Sequence, residues 1–165
     1  MGASFFETRS ENWHQELLVK VRDLFAGVAQ RHNLNFEFEE NDPVDVSCVY
    51  PAQQGLSFEL WMNLQNGDEI WFGGDDWSFS RFPADDPQNW DCIAKTLDGI
   101  ITANARVIRY TALGRGSPFW TSTQLLDDGI WQTVSTRVGI PIPPIWKSDI
   151  LLNIGNAASQ TISLD

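Results

Sequence analysis

From Leu56 to Leu64 apolar and polar residues alternate without a break: Leu56, Phe58, Leu60, Met62 and Leu64 against Ser57, Glu59, Trp61 and Asn63. That is the period of a strand with one dry face. Gln65-Asn66-Gly67-Asp68 supplies a turn and Glu69-Ile70-Trp71-Phe72 a return strand, so the stretch is expected to be a hairpin. A two-residue Asn66-Gly67 loop would set Ile70 against Asn63 and mix the two faces. A three-residue loop, Gln65-Asn66-Gly67, pairs Met62 with Ile70 and Leu60 with Phe72, and burial of the dry row selects it. Its consequence is a Trp61–Trp71 pair on the other face.

Upstream, Trp13, Leu17, Val21, Leu24 and Val28 recur every three or four residues, with Leu18 and Phe25 widening the stripe. This predicts an amphipathic helix of about 20 residues that ends near His32-Asn33. Thr8-x-x-Glu11 has the spacing of a capping box, with Ser10 as the alternative cap. Leu34, Phe36 and Phe38, and then Val44, Val46, Cys48 and Tyr50, alternate with polar neighbours. Their short connections imply an antiparallel meander over residues 34–73, and Trp77 and Phe79 form a further edge segment.

Asp86-Pro87 is a helix start, an N-cap followed by proline at the first helical position. The stripe behind it is Trp90, Ile93, Leu97, Ile100 and Ile101, with Asn104 as the stop. Arg106 to Leu113 predicts a strand. Phe119–Leu126 and Ile130–Val138 predict a second hairpin, joined by Asp127-Asp128-Gly129. After Gly139, Ile140 to Trp146 interleaves proline with apolar residues in the manner of polyproline II. Ser148 is placed to cap a short final helix over Asp149–Asn153, and the polar end from Asn156 is expected to fray.

The expected fold is α+β: an antiparallel sheet of about six to seven strands, with two amphipathic helices packed on one face. Residues 1–138 are expected to form a single domain. Residues 139–165 form a Pro/Ile/Trp-containing C-terminal extension packed on it.

Charge changes what this fold can meet. The 165 residues carry a formal charge of −11, a field that repels nucleic acid and anionic membranes and favours a basic protein partner. No apolar run approaches the ~20 residues of a membrane span. The first residues, MGASFFETRSENW, lack the basic and apolar regions of a secretion signal. A cytoplasmic location is expected, with Cys48 and Cys92 as thiols.

Familiar chemistry is sparse. His14 and His32 would stand roughly 27 Å apart on one helix, and no HExxH, CxxC or calcium-loop spacing occurs, so neither metal nor cofactor is expected. No GxSxG elbow is present, and no catalytic residue is assigned. Gly114-Arg115-Gly116 joins two strands and opens no helix, so it lacks the amide cluster of a phosphate site. Two candidate sites remain. Trp61, Trp71 and Trp77 beside Glu59, Asp75 and Asp76 form a possible binding platform, with rings to stack on and acids for hydroxyls. Arg106, Arg109 and Arg115 are a secondary anion-binding candidate, although Arg106 and Arg109 differ in parity and point to opposite faces of a strand.

The order of elements resembles that of small acidic secretion chaperones and some toxin-immunity proteins, a likeness of architecture and not of motif. The acidity, the compact α+β reading, the eight tryptophans and the lack of catalytic motifs lead to the expectation of a non-enzymatic domain that binds a basic protein partner. The alternatives are a domain binding a small ligand or carbohydrate on its Trp-lined face, and a domain with a purely structural role.

Overall fold

A computed structural model describes residues 11–40, 43–112, 117–138, 146–151 and 162–164. The chain runs α1 (Glu11–His32), β1 (Glu37–Phe38), β2 (Val46–Tyr50), β3 (Leu60–Gln65), β4 (Glu69–Gly73), β5 (Ser78–Arg81), α2 (Pro87–Thr102), β6 (Ala105–Ala112), β7 (Trp120–Asp127), β8 (Ile130–Val138), β9 (Trp146–Leu151) and β10 (Ile162–Leu164). The class is α+β, every pairing is antiparallel, and the helices pack against sheet. The strands are more numerous than the six or seven expected, and they fall in two sheets instead of one. The orders are β1-β2-β3-β4-β5 and β10-β9-β6-β7-β8. In the chain α2 lies between β5 and β6, and it contacts both strands.

Both helices follow their apolar stripes. Leu17, Val21, Phe25 and Val28 of α1 are buried, as are Ile93, Leu97, Ile100 and Ile101 of α2. Tyr50 donates its hydroxyl to the carbonyl of Phe25, which ties α1 to β2. Asn33, left-handed at φ 52, terminates α1. At α2 the Asp86 carboxylate accepts from the amides of Gln88 (2.8 Å) and Asn89 (3.3 Å), ahead of Pro87. The stop is Ala103 at φ 61 and not Asn104. Asn104 instead offers its carbonyl to Leu126 and its side chain to Thr102. The expected cap of α1 at Thr8 or Ser10 lies outside the described residues.

The first hairpin keeps its expected faces but not its expected register. Leu60, Met62 and Leu64 are fully buried, as are Ile70 and Phe72. A one-residue slip would expose all five, at about 1.5–3 kcal/mol each, a sum comparable with the ~5–15 kcal/mol that holds a domain together. Within that parity the pairing is Met62 with Phe72 and Leu64 with Ile70. The three-residue loop is therefore Asn66-Gly67-Asp68. Asn66 (φ 56) and Gly67 (φ 82) are both left-handed, as in the turn that matches strand twist, and Asp45 accepts from the Gly67 amide at 2.9 Å. Trp61 consequently faces Gly73, and Trp71 faces Asn63. The two rings are diagonal neighbours, not a pair.

Gly73 and Gly74 explain the shift. A Cβ on Gly73 would overlap the Trp77 carbonyl and stand 2.9 Å from Trp61 Cζ2, and one on Gly74 would stand 2.8 Å from Trp77 Nε1. Glycine is what lets two tryptophans close on one turn.

The second sheet departs further from expectation. Its hairpin turns at Asp128 (φ 48) and Gly129 (φ 79), with Asp127 and Ile130 paired, and a bulge lies between Thr123 and Gln124. Of the residues expected to form a final helix over Asp149–Asn153, those up to Leu151 belong to β9, a strand paired with β6, and 152 and 153 lie outside the described residues. Residues 162–164 pair with β9 in turn. Ladder bonds to β6 and the burial of Ile150 outweigh the local cap signal of Ser148. The Pro-rich run over 139–145 lies outside the described residues. The edge strands β5 and β8 are bridged by side chains: Arg81 donates to the Val134 carbonyl, and Arg137 donates to Ser78 Oγ at 2.6 Å.

Gly73→Ala should destabilise the protein by about 2–3 kcal/mol, since backbone as well as a ring must move. Gly67→Ala, with open space around it but a left-handed φ, should cost about 1 kcal/mol. Urea unfolding of both variants measures this; equal losses would mean that the contact at Gly73 relaxes freely.

Candidate functional site

The turn Gly74-Asp75-Asp76-Trp77 between β4 and β5 stands against the start of β7. Between them is a cleft of about 430 Å³, lined among others by Trp61, Asp75, Asp76, Trp77, Phe119 and Arg137. Gly74 donates its amide to the Trp77 carbonyl at 3.1 Å, which closes the turn. Its carbonyl accepts the indole N–H of Trp61 at 2.9 Å, which fixes that ring across the Gly-Gly pair. Trp77 is 2% exposed and packs edge-on to Phe58 and Phe72, with centroids 6.4 Å away in each case. Its own indole N–H lies beside Gly74 and finds no hydrogen-bond acceptor.

The far wall is a polar row. Asp149, Arg109, Thr121 and Arg137 stand side by side across β9, β6, β7 and β8, because directly paired residues share a face. It is the face that carries Ala105 and Val107 into the core. Arg109 bonds Asp149 through Nε at 2.7 Å and reaches both oxygens of Asp76 through one terminal nitrogen, at 3.0 and 3.2 Å. Burial works against its charge, but the bonds to Asp149 and Asp76 outweigh that, so the guanidinium is held above its ordinary range. Arg137 reaches Ser78. One arginine thus holds the first sheet's turn to the second sheet, and Asp75 is left exposed at the rim.

Of the platform expected from sequence, the cleft brings together Trp61, Trp77, Asp75 and Asp76. Trp71 and Glu59 do not line it. Trp71 is half-buried opposite Asn63, and its indole N–H and the side-chain oxygen Oδ1 of Asn63 are both buried without partners. Glu59 is exposed and contributes its backbone near Gly74. The arginine set does not assemble. Arg106 is on the opposite face of β6, stacked 4.2 Å from the Trp131 ring and bonded to Gln124 at 2.9 Å. Arg109 is already neutralised by two carboxylates. Arg115 lies outside the described residues. Phe119 and Arg137 were not singled out from sequence. Hairpin pairing puts Arg137 opposite Thr121, but only the bulge decides that parity.

Elsewhere the titratable groups serve packing. His32 and Arg31 meet Asp98 at 2.8 and 3.1 Å, joining the end of α1 to α2. Burial pushes the Asp98 carboxyl up, and those two bonds more than reverse it. Cys48 is buried in the core, and burial, aided by Glu39, pushes its thiol up to about 12. Among the described residues no cluster of three His, Cys, Asp or Glu is placed to hold a metal ion, and no helix is long and apolar enough to cross a membrane. Comparison with family models, curated proteins and solved structures finds no match.

Arg109→Met, which leaves two carboxylates facing each other, should cost roughly 2 kcal/mol, between the ~1 of an exposed pair and the ~3–5 of a fully buried one. Asp75→Asn should stay within about 0.5 kcal/mol. Chemical unfolding that gives the two variants equal losses would show that Arg109 clamps nothing. Thiol labelling at pH 8 of the native protein should modify Cys92, which is partly exposed, well before Cys48, which should react only on unfolding. Equal labelling rates would contradict the burial of Cys48.

Proposed function

We propose that this chain is a binding domain whose ligand site is the cleft between the Gly74–Trp77 turn and the second sheet. The observation that carries the reading is the convergence of Trp61, Trp77, Asp75 and Asp76 on one concavity. Its volume falls within the ~300–1,000 Å³ of small-molecule sites, and aromatic walls with few fixed polar groups are typical of them. The site binds without reacting: Asp76 is occupied by Arg109, and His32 and Cys48 lie in other parts of the fold. Because glycine contacts and the Arg109 bonds hold its walls, little ordering accompanies binding.

A basic protein partner is the second reading, favoured by the charge of −11 and by exposed Asp75 at the rim. In it the protein escorts or neutralises a cationic protein. Charge then raises the association rate, and a few aromatic anchors supply affinity.

A thermal-shift screen of neutral sugars, amines and basic peptides separates the two. A cleft ligand raises Tm, and Trp61→Ala and Asp75→Asn remove the shift. A hit that both variants keep unchanged places its site elsewhere. A basic peptide hit should weaken at least tenfold between about 50 mM and about 500 mM salt, through its on-rate; affinity indifferent to salt would sink the second reading.

A further inference from the structure

Resting on the cleft as the ligand site, we infer that it takes a small zwitterion, a free ammonium and a free carboxylate carried on one apolar body. An apolar amino acid, or a short apolar peptide with both ends free, has that chemistry. The class follows from which charged groups of the lining are already used and which are not. Among the described residues the charged lining consists of Asp75, Asp76 and Arg137. Asp76 is spent, since Arg109 reaches both of its oxygens at 3.0 and 3.2 Å. Asp75 is exposed on the turn and neither bonds nor pairs with any described residue. Arg137 is exposed on β8. Its Nη1 donates to Ser78 Oγ at 2.6 Å, while Nε and Nη2 bond to no described residue. One unspent acceptor and one unspent pair of donors, of opposite charge, therefore open on the same recess. The carboxylate can hold an ammonium, and the side of the guanidinium formed by Nε and Nη2 can take a carboxylate through two parallel bonds.

The balance of charge points the same way. Around the cleft Asp75, Asp76 and Asp149 stand against Arg109 and Arg137, three negative groups to two positive. A lone anion would be drawn to Arg137 and repelled by Asp75, and a lone cation the reverse. A molecule bearing both charges adds no net charge and is attracted at each end. The apolar body answers the rest of the lining. Trp61 is half-buried and held by the bond from its indole N–H to the Gly74 carbonyl, and Phe119 is buried beside it in the lining. These walls are in place before a ligand arrives, so contact with them costs little ordering.

The test is a titration of the ¹⁵N-labelled full chain, following the Trp61 indole N–H and the backbone amides of residues 74–76. Leucine and leucyl-leucine are compared, each with its N-acetylated form and its methyl ester. At least one of the two zwitterions should move these signals saturably, and which one does so separates an amino acid from a peptide. Its two blocked forms should each bind about fivefold more weakly, the worth of one exposed ion pair. Arg137→Gln should erase the preference over the ester and keep the preference over the acetylated form. Asp75→Asn should do the reverse. Both positions are exposed, so the fold is kept. Blocked forms that bind as tightly as the zwitterion, or preferences that both substitutions leave unchanged, overturn the ligand class while the cleft remains a site. If no probe moves these signals the inference falls, and the thermal-shift screen decides separately whether the cleft reading falls with it.

Discussion

Much of this molecule depends on how closely its backbone can approach two indoles at Gly73 and Gly74. Any side chain there would collide with Trp61, with Trp77, or with the Trp77 carbonyl. That contact sets the register of the β3–β4 hairpin, because Trp61 needs a partner position with no Cβ. It also sets the turn that follows, because the Gly74 amide and carbonyl are both committed, to Trp77 and to Trp61. Backbone hydrogen bonds and ring packing therefore specify the same geometry, a consistency expected of a uniquely folded segment.

The second constraint is electrostatic. Asp76 lies two residues after the glycine pair, and the turn presents it to Arg109 across the gap between sheets. Arg109 in turn takes Asp149 from the neighbouring strand. An ion pair of this kind offsets its desolvation only when the bonds are well made, and here one guanidinium satisfies two carboxylates from different parts of the chain. The pairing also disposes of an attractive idea. An arginine that appears as a free anion hook in an acidic sequence is, in the fold, a clamp.

What results is a recess with one rigid aromatic wall, one charged wall, and a buried donor left without an acceptor. Protein interiors rarely leave an N–H unpaired. The indole N–H groups of Trp71 and of Trp120, which lines the same recess, are also buried without acceptors, and the side-chain oxygen of Asn63 is buried without a donor.

The amino-acid sequence determined the local elements by itself. The strict alternation of Leu60, Met62 and Leu64, the stripes of the two helices, and the Asp86-Pro87 cap each encode their structure within a few residues, since periodicity and capping are short-range physics. The α+β class, the buried Cys48 and the separation of Arg106 from Arg109 were legible for the same reason. Only the tertiary structure decided the rest. Register within one parity turned on the missing Cβ of Gly73, the segment from Trp146 became strand because β6 offered an open edge, and the sheet divided in two, with the edges β5 and β8 bridged by side chains. The joining of Asp76 to Arg109, 33 residues away, and of both to Asp149 leaves no spacing signature, because contacts between distant strands depend on topology and not on period.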